Sequence, residues 1–351
     1  MKEMRLLAAL AVCGALAFGV SACSNSSGNS AASLVGLSGG GTQDPVFTPV
    51  YETFGSWPQT VMAAGVTVNE SETEIHGALT YCKGSDGQWY VKRFENSYDG
   101  ICKYSDGTTV KESSANSYKW FKVEPIKWRV LTANYNGTGK KLLLAEKILT
   151  NCKYYDYKDV NRSVSAATVY PNNYEHSKVR AFLNGLSYKQ KQASDGAQNE
   201  CDDFLNKGFL QSAFTPAELA KIADTNVDNS ADSATDNGNN LPKSTDYACG
   251  NTNDKIFLLS EREATNSEYG FPAYKRTGTG NARIRQTTDY AMASGAYQSA
   301  YPGNGGQWWI RSPNAASAST VRHIGGGGDA SLNTIVNSEG TGLVPALCVS
   351  D

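Results

Sequence analysis

The stretch that decides the fold is Trp120-Phe121-Lys122-Val123-Glu124-Pro125-Ile126-Lys127-Trp128-Arg129-Val130-Leu131. Apolar and polar residues alternate from Ile126 to Val130, which is the pattern of a strand with one buried face. Asn136-Gly137 follows, and this pair supplies the positive φ angles that a two-residue hairpin turn needs. The chain then returns through Lys141-Leu142-Leu143-Leu144-Ala145. The sequence therefore predicts an antiparallel hairpin.

Further strand signals lie on both sides of a helical middle. Asp86-Gly87 separates two strand-like runs and predicts another hairpin. Helix starts are predicted at the cap Ser177 and at two capping boxes, Thr215-Pro216-Ala217-Glu218 and Ser260-Glu261-Arg262-Glu263. Because β and α segments do not alternate regularly, we expect an α+β fold with antiparallel strands, two or three packed helices and a C-terminal set of short hairpins. The other predicted segments are strands at Tyr51–Gly55, Lys255–Leu259, Thr320–Ile324, Ser331–Val336 and Leu343–Val349, and a helical segment at Thr287–Ala291.

Length and charge restrict the class of protein. The 351 residues are 40% hydrophobic, with 32 Lys plus Arg against 34 Asp plus Glu. A chain so close to neutral lacks the basic field that nucleic-acid binding requires. We expect a single domain over residues 44–351, composed of an N-terminal strand region 44–118 and a core 119–351.

A polar stretch near residues 224–254 predicts a long exposed loop. Calcium binding is the functional alternative, because Asp228, Asp232 and Asp236 recur there. They sit four residues apart, however, whereas a calcium loop of the EF-hand type alternates its ligands and places glycine between them. We therefore favour a solvated loop, and no metal ligand or cofactor is predicted.

The N-terminus has the order of a secretory signal. Lys2 and Arg5 precede a short apolar run, and small residues lead up to Cys23. Val20-Ser21-Ala22-Cys23 resembles the lipobox of bacterial lipoproteins, which implies cleavage after residue 22 and a lipid on the Cys23 sulfur. The alternative is plain secretion with an incidental cysteine.

Residues 23–43 are dominated by Ser, Asn, Gly and Ala, which predicts a flexible tether, because such a segment cannot bury enough apolar surface to offset its ordering entropy. Ser24, in place of Asp, resembles lipoproteins sorted to the outer membrane. We therefore expect an envelope protein anchored by lipid, at the outer membrane or the cell surface.

Seven landmarks occur in one order along the chain. Together they resemble an uncharacterised bacterial domain family found in lipoproteins and surface proteins. The landmarks are Gly55–Thr60, Ile126–Leu131, Ser177–Asn184, Ala213–Glu218, Asp254–Ser260, Trp308–Pro313 and Val344–Leu347. The chain departs from the family pattern at Val344, where the usual residue is arginine.

That family is similar, more distantly, to C-type-lectin-like domains such as those of formylglycine-generating enzymes. The resemblance implies a C-type-lectin-like core in which a Trp-rich strand and a terminal hairpin support an exposed surface. Formylglycine generation needs a reactive cysteine pair on the terminal strands, and only Cys348 occurs there, among apolar neighbours that raise a thiol pKa. That activity is therefore not expected.

The segment after Trp309 is the candidate ligand face, because it carries short polar side chains among small residues. The tryptophans are candidates for stacking on a sugar or peptide, although burial in the core is favoured for at least one of them. Arg311 has the alternative of anchoring loop carbonyls. The candidate ligand-binding residues are Trp308, Trp309, Arg311, Asn314, Arg322, His323 and Asn333.

Three functions stay open at this point. The preferred hypothesis is a lipid-anchored module that binds a protein or glycan without catalysis. The second is an envelope enzyme with a dispersed active site built from groups such as Glu146, His176 and Asp289. The third is a passive structural lipoprotein. A deep pocket that gathers the three dispersed groups would favour the enzyme.

Overall fold

The computed structural model describes residues 48–97, 102–191, 198–201, 203–233, 246–273 and 281–350. The predicted signal, the tether and Cys23 lie outside these residues. The strands of the first half are β1 (Val50–Val61), β2 (Val68–His76), β3 (Leu79–Gly84), β4 (Trp89–Phe94), β5 (Tyr118–Thr132), β6 (Lys141–Ala145), β7 (Thr150–Asn151), β8 (Arg162–Val164) and β9 (Ala167–Val169).

The second half contains shorter strands and most of the helical residues. Its strands are β10 (Tyr188–Lys191), β11 (Gln198–Cys201), β12 (Thr225–Val227), β13 (Thr252–Asp254), β14 (Ile256–Phe257), β15 (Trp308–Pro313), β16 (Thr320–Ile324), β17 (Leu332–Ile335), β18 (Gly342–Leu343) and β19 (Ala346–Val349). The α-helices are α1 (Lys178–Asn184), α2 (Phe209–Ala213), α3 (Pro216–Leu219), α4 (Glu261–Ala264) and α5 (Asp289–Ala293). The fold is α+β, as the sequence predicts.

The main sheet is built on the predicted hairpin. Its strand order is β14-β19-β6-β5-β4-β3-β2, and β1 pairs with the other side of β5. Ile126 and Trp128 are fully buried and Lys127 between them is exposed, as the alternation predicts, but Arg129 is buried as well, because it pairs with Glu146. Because β1 to β4 join the same sheet as β5, β6 and β19, the N-terminal strand region and the core share one layer. Val46–Asp351 form one compact unit.

The turn of this hairpin is longer than predicted. Asn136 and Gly137 have the expected positive φ angles of 50° and 73°, yet β5 ends at Thr132 and β6 begins at Lys141. The two-residue turn is therefore wrong. The physical reason is Tyr135, which is buried and donates a 2.5 Å hydrogen bond to Glu263, so the loop must reach inward.

The predicted helix starts are confirmed. The side chains of Ser177, Thr215 and Ser260 each accept a hydrogen bond from a backbone N–H three residues later, and the last two are reciprocated by glutamates as capping boxes. The helix predicted at Thr287–Ala291 begins at Asp289, because Thr288 is its N-cap. These starts are encoded locally, since each cap needs only its own neighbours in the chain.

A second sheet collects the tail strands in the order β17-β16-β15-β18-β7. The polar stretch near 224–254 differs from the prediction at both ends, because β12 and β13 pair there and bury Val227 and Asp254. Asp254 is held by Arg180 Nε at 2.8 Å. Residues 234–245 of the stretch, including Asp236, lie outside the described residues. Within the described part of the chain, no helix has the length and apolar character needed to cross a bilayer.

Candidate ligand-binding cleft

Five of the seven predicted face residues are buried. Trp308 and Trp309 are 0% exposed, and their indole N–H groups donate to carbonyls of Arg283 and Cys152. Arg311, Arg322 and His323 are also buried. The two tryptophan rings and the two arginines of the expected face are therefore not accessible to a ligand, because β15 and β16 are inner strands of the second sheet.

The buried cations have structural partners. Arg311 contacts both carboxylate oxygens of Glu263, at 2.5 and 3.2 Å, and donates to the carbonyls of Leu258 and Asp228. Arg322 Nε lies 2.8 Å from Glu261 Oε2. Burial alone would raise the pKa of Glu263, but Arg311 outweighs it and holds this pKa below its usual range. The alternative of Arg311 as a structural anchor is thus the one that its contacts support.

The two remaining face residues are accessible but do not form a cleft. Asn314 is half-buried and donates to Thr320 Oγ1 at 2.8 Å. Asn333 is exposed on β17, opposite the buried Arg322. One asparagine in the β15–β16 connection and one on the outer strand β17 offer too few converging groups for a specific ligand site.

Burial of His323 makes stability depend on pH. Desolvation lowers its pKa to about 4, and Asp329 offsets only part of this effect. The unfolded chain therefore binds a proton near pH 6.5 while the folded protein does not until about pH 4, so the free energy of unfolding falls by about 3 kcal/mol across this range. Urea unfolding of the protein and of His323→Leu at several pH values should show a loss of stability that is smaller in the variant by about this amount. Parallel curves would contradict the assignment.

A different surface does bring polar and aromatic groups together around a cleft. It is a cleft of about 370 Å³ between one face of strands β2 to β4 and the segment that joins α2 to α3. On the sheet side, Glu74 is opposite Tyr81 and Lys83 is opposite Trp89. Because side chains alternate along a strand, Glu74 and His76 share this face with Tyr81, Lys83 and Trp89.

Ring contacts set the shape of the cleft. His76 stacks on Tyr81 with ring centroids 4.1 Å apart, and its Nε2 lies 3.2 Å from Glu74 Oε2. Tyr81 is buried beneath it, and desolvation raises the pKa of Tyr81 well above its usual range, so it stays a neutral phenol. The Lys83 ammonium lies 4.3 Å from the centroid of the half-buried Trp89 ring.

The opposite wall is fixed by close backbone approach. Gly77 has φ +55°, and a Cβ there would meet Ser212 Oγ at 2.3 Å. Ser212 Oγ in turn accepts a hydrogen bond from Ala78 N. Glu218 accepts from Gly55 N through one oxygen and from Thr215 through the other, so its carboxylate is used structurally.

A second, smaller cleft of about 240 Å³ contains His176. Burial lowers the pKa of this histidine. Neither Glu146 nor Asp289 lines the cleft: Glu146 is paired with Arg129 at 2.7 Å, and Asp289 accepts hydrogen bonds from Val61 N and Ser105. Glu146, His176 and Asp289, the three groups of the enzyme hypothesis, therefore do not line one pocket.

The calcium candidate Asp228 and the terminal thiol of Cys348 each have a defined environment in the structure. No group of three or more His, Cys, Asp or Glu side chains suited to a metal ion occurs in the described ranges. Asp228, the first residue of the calcium alternative, accepts a hydrogen bond from Ser230 N. The six cysteines within the described ranges, among them Cys348, carry thiols rather than disulfides, and burial raises the pKa of Cys348 to about 11.

Sequence reasoning did not find the cleft. Its sheet side carried a signal, since Tyr81, Lys83 and Trp89 flank the Asp86-Gly87 turn at alternating positions. That turn is confirmed, with Gly87 at φ +76° and Asp86 bound to Tyr90 Oη at 2.7 Å. The opposite wall comes from residues more than a hundred positions later, which no local pattern connects to the hairpin.

The fold and the cleft define a strand-rich α+β protein with a solvent-open polar and aromatic groove. The chain belongs to an uncharacterised family, because the sequence model of the Domain of unknown function (DUF6273) matches residues 138–351. The landmarks Gly55–Thr60 and Ile126–Leu131 precede the matched range. No curated protein and no solved structure showed a significant match.

Proposed function

We propose that this protein is a lipid-anchored envelope protein whose domain binds a ligand, without turnover, in the cleft between β2, β3, β4 and the α2–α3 segment. The observation that carries the proposal is the convergence of the Trp89 ring, the stacked His76 and Tyr81 rings and the Glu74 and Lys83 charges on one open groove. Ligand sites combine apolar or aromatic surface with a few fixed polar groups in this way.

The form of the cleft favours a glycan or a compact protein epitope over an added peptide strand. β2 is the outer strand of its sheet, but it is bulged between Asn69 and Thr73 and carries Glu70, Glu72 and Glu74. Bulges and charges on an edge oppose the pairing of a further strand. A ligand that uses the side chains of the cleft, rather than the β2 backbone, fits this arrangement better.

The proposal includes the anchor and the wider architecture. The lipobox-like Val20-Ser21-Ala22-Cys23 supports a lipid on Cys23, with the outer membrane or cell surface as the favoured location. A C-type-lectin-like core is supported by the C-terminal β19, which returns to the main sheet between β6 and β14, and by the buried Trp-rich β15.

A binding experiment on the full-length protein, in detergent micelles, tests the cleft. Glycan and host-protein arrays would identify a ligand, and Trp89→Ala is expected to weaken its binding at least tenfold, or by about 1.4 kcal/mol, because the ring surface is removed. Glu74→Gln, which changes charge with little change in shape, is expected to weaken it less.

Matched variants separate the cleft from general damage. Trp120 is another half-buried tryptophan of the same sheet that does not line the cleft, so Trp120→Ala should leave binding unchanged. The double replacement Asn314→Ala with Asn333→Ala should also be neutral. Binding that survives Trp89→Ala, or that is lost equally in Trp120→Ala, would refute the cleft as the ligand site.

A further inference from the structure

The cleft already holds an ammonium group of its own. Lys83 Nζ lies 4.3 Å from the centroid of the Trp89 ring, at the position that a bound cation takes over an aromatic face. The described residues provide no carboxylate within salt-bridge distance of Lys83. The Trp89 ring is therefore the contact that positions the Lys83 ammonium. The flexible four-carbon side chain of Lys83 allows the ammonium to move off the ring when a ligand binds.

A negative group lies in the same cleft. The Glu74 side chain is 54% exposed and contacts the ring of His76. Both carboxylate oxygens of Glu218, by contrast, already accept hydrogen bonds, one from Gly55 N and the other from Thr215 N. Glu74 is thus the carboxylate of the cleft that can face an incoming ligand, beside the His76 and Tyr81 rings.

We infer that the cleft recognises an organic ammonium group, which replaces Lys83 Nζ over Trp89 while Glu74 supplies the opposite charge. The inference rests on the proposed function, because it assigns a ligand class to the same cleft. Aromatic faces attract cations through the ring quadrupole, and quaternary ammonium groups are recognised in this way. Lys83 then acts as an internal competitor that lowers the affinity for the ligand.

The ammonium has three chemical sources: a choline headgroup, an amino sugar and a lysine side chain. Calorimetric titration of the full-length protein in polyoxyethylene detergent would use choline, glucosamine and the Nα-acetyllysine amide, which keeps its side-chain ammonium, as probes. Each is compared with a neutral partner of similar shape, namely 3,3-dimethylbutan-1-ol for choline, glucose for glucosamine and the Nα-acetylnorleucine amide for the lysine compound. We expect at least one ammonium compound to bind and its neutral partner to bind several-fold more weakly.

The variants give the inference a specific signature. Lys83→Ala is expected to strengthen binding about twofold to fivefold, the range of an exposed cation–π contact, because the competitor is gone. Glu74→Gln is expected to weaken it by a similar factor, and Trp89→Ala to remove it. Lys92→Ala is the matched control, since Lys92 lies 5.3 Å from the Trp120 ring outside the cleft and should have no effect.

Two results would overturn the inference: equal binding of a probe and its neutral partner, or weaker binding in Lys83→Ala. If neutral glycans bind in a Trp89-dependent manner and ammonium compounds do not, the ligand class is wrong and the cleft stays the binding site. If a ligand binds with no dependence on Trp89, the proposed function fails as well.

Discussion

Arg311→Met is expected to lower the free energy of unfolding by about 3–5 kcal/mol, because it leaves the buried Glu263 carboxylate without its counter-charge. Arg311 is 2% exposed and also ties the carbonyls of Leu258 and Asp228 to β15. The measurement is urea unfolding with the m-value checked for constancy. Arg311 holds the pKa of Glu263 below its usual range. In the variant, the buried carboxylate must therefore stay charged without a partner or take up a proton, and either costs stability.

Two variants make this prediction decisive. Combining Arg311→Met with Glu263→Gln should recover part of the loss, because the orphaned charge disappears while the amide oxygen can still accept a hydrogen bond from Tyr135 or Ser260 N. Lys92→Met breaks the exposed pair with Glu70 and should cost less than about 1 kcal/mol, because solvent screens that pair. An Arg311→Met cost as small as that of Lys92→Met would contradict the anchoring role.

Cys23→Ser is expected to abolish lipidation, so that a chain whose signal has been removed moves from the membrane fraction to the soluble fraction. Serine has no thiol to carry the lipid, and no helix of the described residues is suited to hold the chain in a bilayer. The measurement is fractionation of a lipoprotein-processing bacterium that expresses the full chain, with mass spectrometry of the mature N-terminus. The expected mass is that of a lipidated chain beginning at residue 23.

Cys13→Ser is the control for the anchor, because Cys13 lies within the same signal and is preceded by the branched residue Val12. It should leave both fractionation and the N-terminal mass unchanged. A Cys23→Ser protein that stays in the membrane fraction with its signal removed would show that something other than this lipid holds it.

The sequence by itself determined the features whose causes are local. Helix starts at Ser177, Thr215 and Ser260 follow from a side chain and a backbone N–H three residues apart. The strand nature of residues 120–131 follows from alternation, and the Asp86-Gly87 turn from the backbone freedom of glycine at positive φ. The α+β class follows from the order of these elements.

Only the tertiary structure decided which polar residues meet solvent and which meet each other. Arg322 and His323 look like surface residues in the sequence, but β16 lies between β15 and β17, so ion pairing and desolvation govern them instead. The cleft needs Tyr81, Lys83 and Trp89 to face the Ser212–Glu218 wall, a contact between segments distant in the chain. Such contacts depend on the summed packing of the whole core, which no single stretch of sequence encodes.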